Sequence, residues 1–241
     1  MLVCKFGGTS VGSPEAIRKL VSIIQGKEHA GRVRVVVVSA FSKVTDGLIA
    51  AAKAAAEGDG TYADALAAME ARHLEAAAEL LPADRAAATA DFITAAAADL
   101  RRTLDGVAIL AELSARTLDY VMSFGERLSA FIVAQTFSAA LTPADFLDAR
   151  LVVKTDDQFG SARFLGEETY ANIRSLLDAR PNLQVATGFI GSTADGRTTT
   201  LGRGGSDLSA AIFGAAIDAK EVEIWTDVDG ILTADPRSVK N

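Results

Sequence analysis

Arg197–Asp207 reads RTTTLGRGGSD. It leaves a strand-like segment, crosses a glycine-rich turn and opens a helix. Gly202, Gly204 and Gly205 allow backbone conformations that a Cβ would forbid. Ser206 has the chemistry of an N-cap, and Leu208, Ala211, Ile212 and Ala215 follow at helical spacing. Such a turn offers backbone N–H groups and the positive end of a helix dipole to an anion. Arg203 and Asp207 place one charge of each sign beside it. A plain strand-to-helix connection would use the same residues, so the stretch alone leaves both readings open.

A second glycine turn stands at the other end of the sequence. Leu2–Phe6 is a short, nearly all-apolar strand of the kind buried on both faces of a parallel sheet, interrupted by Lys5. A lysine there is costly unless its ammonium finds a partner at the strand's end. Gly7-Gly8-Thr9-Ser10 follows. Ser13-Pro14-Glu15 then supplies a cap, a proline at the first helical position and an acid in the first turn. Ile17, Leu20, Val21 and Ile24 form the apolar face of that helix, and Val33–Val38 is the second buried strand. The opening is therefore β–glycine turn–α–β, a crossover unit of a parallel sheet. Two glycine turns after strands and before helices can meet at the carboxyl edge of such a sheet, where open α/β folds bind ligands.

The middle of the chain is scaffold. From Thr45 to about Asp119 it is alanine-rich, broken at Gly58-Asp59-Gly60 and Pro82, and reads as consecutive helices. His73 stands alone there and is assigned a surface or packing role. Ser123 and Glu126 have capping-box spacing, which starts a further helix and gives Glu126 a structural reading. Phe146–Asp148 and Leu151–Lys154 are short strand candidates, Tyr170 to Leu177 a helix, and Gln184–Gly191 a strand. Ala194-Asp195-Gly196-Arg197 is a hairpin signal, and Glu221–Thr226 is a strand. Strands alternating with helices over the whole length make one α/β sandwich.

Composition narrows the chemistry. At 241 residues, 49% of them hydrophobic, the chain can bury a substantial core. A net charge of −7 offers no footprint for nucleic acid or an anionic membrane. No apolar run reaches the length of a membrane span, and the first residues do not read as a signal peptide. One cysteine excludes an internal disulfide and a cysteine-rich zinc site, which fits a reducing cytoplasm. With two histidines, a Ser-His-Asp or Cys-His nucleophile system is not supported. Neither turn is a Walker A loop, and Gly202–Asp207 ends in aspartate where GxGxxG needs glycine. What these residues describe is a phosphate-handling α/β protein with one cation on each side of a cleft.

Five blocks carry a more specific message: KFGGTSVG at Lys5–Gly12, VVVVSAFSKVTDGL at Val35–Leu48, SFGERLSA at Ser123–Ala130, GFIGSTADGRTTTLGRGGSD at Gly188–Asp207 and EIWTDVDGILTADPR at Glu223–Arg237. Their order and spacing resemble the catalytic domain of the aspartokinase family, within the amino-acid kinases. The resemblance implies a three-layer α/β/α sandwich with a mainly parallel central sheet, the carbamate kinase-like fold. It implies transfer of a phosphoryl group from ATP to the side-chain carboxylate of L-aspartate, giving 4-phospho-L-aspartate. Lys5 would contact the transferring phosphoryl group, with Phe6, Gly7 and Gly8 beside the nucleotide and Asp207 holding the lysine. Thr45 and Glu126 would bind aspartate, Arg203 would take its α-carboxylate, and Ser39 and Ser206 would line the site. Thr226, Asp227, Leu232 and Arg237 fall at the nucleotide positions, Leu232 departing from the tyrosine common there. No carboxylate cluster forms an all-protein metal cage, so Mg²⁺ is expected to ride on the ATP phosphates.

Family members continue past the DPR block with a segment carrying FGAKVLHP, whose lysine also contacts ATP, and with regulatory ACT domains. The resemblance thus assigns residues 1–241 to the kinase catalytic domain without its C-terminal part. It implies a complete aspartate side, weak ATP binding and low turnover; a homo-oligomer burying the uncovered edge is compatible with it. The alternatives are another amino-acid kinase with a different acceptor, or a fragment that binds aspartate without turnover.

Overall fold

A computed structural model describes residues 1–26 and 28–226. Among the described residues five strands form the central sheet: β1 (Leu2–Phe6), β2 (Val33–Val38), β3 (Ala144–Leu147), β4 (Leu183–Thr187) and β7 (Glu221–Trp225). Their order is β3-β4-β2-β1-β7, and every neighbouring pair is parallel. Val35–Val38 shows why apolar runs suit this sheet, since both faces are covered and all four residues are buried.

Each face carries its own core. Cys4, Phe6, Val36, Val38 and Val185 pack against the layer of α1 (Pro14–Gln25), α2 (Val44–Ala56), α3 (Tyr62–Leu80), α4 (Ala83–Leu110) and α5 (Ala115–Ala139). Val3, Val35, Val37 and Ala186 pack on the other side against α6 (Gly166–Ala179) and α7 (Gly205–Ala216). The result is the expected three-layer α/β/α sandwich. In the alanine-rich helices, Ala51, Ala52, Ala55, Ala76 and Ala77 are buried, and their small side chains let α2 and α3 pack closely. Among the described residues no helix is long and apolar enough to cross a membrane.

Several expectations need correction. Ser123 does not cap a helix: α5 starts earlier, with Ser114 accepting from Thr117 N. Ser123 and Glu126 lie in mid-helix, the Ser123 hydroxyl donating to Tyr120 O. Ser206 is not an N-cap either, because Gly204, at φ 72°, takes that position. The buried face of α7 holds Ser209, Ala210, Ile212 and Phe213, whereas Leu208, Ala211 and Ala215 are exposed. Leu151–Lys154 is no strand; a single 3-10 turn covers Ala149–Leu151. The Gln184–Gly191 run breaks at Phe189, whose φ is 66°. Past that break, β5 (Ile190–Ser192) and β6 (Thr198–Thr200) form a separate antiparallel hairpin. The second glycine turn therefore leaves this hairpin and not a strand of the main sheet.

Gly125 marks the tightest approach of α5 to the sheet's carboxyl edge. A Cβ there would lie 2.7 Å from Ala40 Cβ, in the segment that leaves β2. We predict that Gly125→Ala destabilises the protein, because overpacking of about 1–3 kcal/mol outweighs a helix-propensity gain of about 1 kcal/mol or less. Urea unfolding would show a lower midpoint; an unchanged or higher midpoint would mean that the contact relaxes freely.

Candidate active site

The two glycine turns do meet. At the carboxyl ends of β1 and β2 they border a cleft of about 510 Å³, lined among others by Lys5, Gly8, Ser39, Thr45, Glu126, Arg203, Ser206 and Asp207. Strand alternation explains the first of these. Cys4 and Phe6 face the α1–α5 layer, so Lys5 points with Val3 toward α7. Its Nζ lies 2.7 Å from Asp207 Oδ1 in the first turn of α7, the partner that a nearly buried ammonium requires. A Cβ at Gly7 would come within 3.6 Å of the same Nζ.

Close packing fixes the second turn. Cβ atoms at Gly188 and Gly205 would meet Ser206 at 2.8 Å and the Phe189 ring at 2.7 Å. The N–H groups of Gly205 and Asp207 are engaged by Gly202 O and Gly204 O at 3.0 Å. Positive charge at this wall therefore comes mainly from side chains. Arg203 is exposed at the rim, and its guanidinium has no ion pair among the described residues.

Glu126 is the most unusual group in the cleft. It is 3% exposed. Oε1 accepts from Ala40 N at 3.2 Å, whereas Oε2 has no hydrogen-bond partner among the described residues. Burial pushes its carboxyl up to about 8, only partly countered by the Ala40 N–H. This environment favours the neutral, protonated carboxyl over the carboxylate.

Two positioning residues escaped the sequence reading. Asp119, fully buried on α5, accepts from Thr200 N at 3.0 Å, Thr200 Oγ1 at 2.8 Å and Gly160 N at 2.9 Å. It ties the hairpin that feeds the second glycine turn to the helix that carries Glu126. Burial raises its carboxyl despite those three donors. The signal was the spacing of Asp119, Met122 and Glu126 along one helix face. Arg72, on α3, donates to Ser42 O and Gly12 O at 2.8 Å each and lies over the Phe41 ring. It clamps the two loops of the opposite wall, and nothing in the alanine-rich sequence marks it. His73 beside it is a packing residue, stacked on Phe41 at 4.6 Å, with its imidazole pushed down to about 4 by burial.

Not every expected residue lines the cleft. Phe6 stacks on Trp225 and, with Thr226, borders a separate hollow of about 420 Å³ on the α1 side of the sheet. Asp227, Leu232 and Arg237 lie outside the described residues.

Residues 1–241 match the model of the amino acid kinase family. The chain is 35% identical over 239 residues to the chloroplastic bifunctional aspartokinase/homoserine dehydrogenase 2 of Zea mays, covering 98% of this chain and 26% of that protein. It is 33% identical to the lysine-sensitive aspartokinase 3 of Escherichia coli K12, covering 99% of this chain and 51% of that one. A crystal structure of E. coli aspartokinase III in complex with aspartate and ADP superposes with a TM-score of 0.89 at 32% identity, over 99% of this chain and 52% of that chain. The chain thus spans about a quarter to a half of the length of these relatives.

The Glu126 carboxyl makes stability pH-dependent. Its folded value lies above the ordinary 4.5, so the native state holds the proton that the unfolded chain has released. Its contribution is present below about 4.5 and is lost as pH rises toward about 8. Unfolding midpoints of the ligand-free protein should fall across that window, and Glu126→Gln should flatten the slope. An identical slope in both proteins would place the titration elsewhere.

Proposed function

The chain belongs to the amino acid kinase family, and on that premise we propose that it phosphorylates the side-chain carboxylate of L-aspartate with ATP. The observation that carries this reading is the presence, in one cleft, of Lys5 and the buried carboxyl of Glu126, whose Oε2 has no hydrogen-bond partner among the described residues. An acceptor with both an ammonium and a carboxylate suits Glu126 together with Arg203, which has no ion pair among the described residues. Thr45, Ser39 and Ser206 supply hydroxyls along the same wall. The similarity to an aspartokinase bound to aspartate and ADP supports the same pair of ligands.

The acceptor needs no general base, since a free side-chain carboxylate with a pKa of about 4 arrives ionised. One of its oxygens attacks the γ-phosphorus, the bond to the β–γ bridging oxygen breaks, and ADP leaves with that electron pair. The obstacle is the approach of one anion to another, so cations must face the transferring group. Lys5 is the cleft's buried cation; Asp207 holds its ammonium, and Gly7 and Gly8 let the phosphates come close. Thr226, with Asp227, Leu232 and Arg237 beyond the described residues, is assigned to the nucleotide.

Mg²⁺ belongs with the ATP phosphates, whose charge it neutralises. Among the described residues the cleft gathers no trio of carboxylate, imidazole or thiol ligands that would hold it directly.

Trapping the acyl phosphate with hydroxylamine across a panel of acceptors tests the substrate. Product with aspartate is expected; product only with glutamate would overturn the reading, and aspartate binding without any product would favour a binding module. Lys5→Met should abolish transfer with little loss of aspartate affinity, an effect of about 3 kcal/mol or more on the transition state. Arg203→Ala should weaken aspartate by about 1.5–3 kcal/mol in calorimetry and leave ATP unchanged. Weaker ATP with unchanged aspartate would move Arg203 to the phosphate side.

A further inference from the structure

Away from the cleft, a thiol, an imidazole and a carboxylate converge between β1, β7 and the turn after α1. Cys4 and Glu223 are register partners on adjacent parallel strands, so their side chains share a face. His29 is delivered from the turn that begins at Gly26, its N–H bonded to Gly26 O at 3.0 Å. Cys4 Sγ lies 3.6 Å from Glu223 Oε2, and His29 Nε2 lies 2.8 Å from the same oxygen. All three donor atoms fall within 4.8 Å of one another. None of the three lines the proposed catalytic cleft.

We propose that Cys4, His29 and Glu223 form a binding site for a zinc-class divalent ion. One sulfur, one imidazole nitrogen and one carboxylate oxygen are the donor types that Zn²⁺ accepts, while Mg²⁺ and Ca²⁺ require oxygen shells. Bond lengths of about 2.3 Å to sulfur and about 2.0–2.2 Å to nitrogen and oxygen put the donors of a tetrahedral ion about 3.3–3.6 Å apart. The Cys4–Glu223 separation already fits. The His29–Glu223 pair opens by about half an ångström as the ion replaces their hydrogen bond.

Trp225 Nε1 donates to Glu223 Oε2 at 2.9 Å, an outer hydrogen bond of the kind that orients a ligating carboxylate. On binding, the Sγ–H bond breaks, the proton passes to solvent, and an Sγ–metal bond forms. The thiolate and carboxylate then balance the charge of a divalent ion, which suits a pocket where Cys4 is fully buried and His29 is 7% exposed. Glu223, the most accessible of the three, is the side of entry and of the open fourth position. The bound ion would pin strand β7 to β1 and to the α1–β2 turn. The site does not rest on the proposed kinase reading.

The competing account is a plain hydrogen-bonded trio, and Co²⁺ separates the two. Chelator-treated protein titrated with Co²⁺ should develop a thiolate-to-metal charge-transfer band that saturates at one ion per chain and is displaced by Zn²⁺. Cys4→Ser should abolish the band, while His29→Gln and Glu223→Gln should each weaken binding at least tenfold. Zn²⁺ should raise the thermal midpoint of the native protein and leave that of Cys4→Ser unchanged. Absence of the band in the native protein at millimolar Co²⁺ would overturn the proposal whatever the variants do. So would unchanged affinity in both His29→Gln and Glu223→Gln, which would leave Cys4 acting alone.

Discussion

A carboxyl group buried on α5, with one oxygen on the Ala40 N–H and the other without a partner among the described residues, constrains the cleft around it. Leaving a buried polar atom unsatisfied costs about 1–3 kcal/mol, so the fold must hold Glu126 there against its own preference. The surrounding helix does that. Val121, Phe124, Leu128, Ile132 and Val133 are all fully buried and anchor α5 beneath the sheet. Gly125 removes the one side chain that would keep the helix from the end of β2. Asp119, on the same helix face, fastens the hairpin that feeds the second glycine turn.

The cleft sorts charge by element. Lys5 is carried by β1 and paired with Asp207, so its ammonium stands in the cleft that the two glycine turns border. Arg203 sits exposed in the cleft lining without an ion pair among the described residues, and Glu126 is buried in the wall of the same cleft. On the proposed reading, aspartate would place its ammonium toward Glu126, its α-carboxylate toward Arg203 and its reacting carboxylate toward Lys5.

Much of this was legible in the sequence, because buried parallel strands and glycine turns are local patterns with strong physical causes. Leu2–Phe6 and Val33–Val38 have the composition of strands covered on both faces, and the Ser13-Pro14-Glu15 start of α1 was read correctly. Local patterns misled where tertiary contacts decide. Ser123 and Glu126 have capping spacing, yet Ser114 had already capped that helix and both residues were drawn into its interior. Ser206 has N-cap chemistry, but Gly204 can adopt the left-handed conformation at no steric cost and starts the helix two residues earlier. Val152 and Val153 are apolar because they pack in one core with Ile190 of the small hairpin, whereas Leu151 is exposed and the run does not join the main sheet. The Arg72 clamp leaves no local trace, since its partners are backbone carbonyls far away in sequence.

The most direct measurement is the proton balance of aspartate binding. On the proposed reading, Glu126, held up to about 8 in the free protein, ionises to receive the ammonium of aspartate. Calorimetry at neutral pH in buffers of different ionisation enthalpy should therefore report release of about one proton per L-aspartate bound. Glu126→Gln should reduce that release to near zero. A binding enthalpy independent of buffer in the native protein, or release that persists in the variant, would contradict the placement of the ammonium on Glu126.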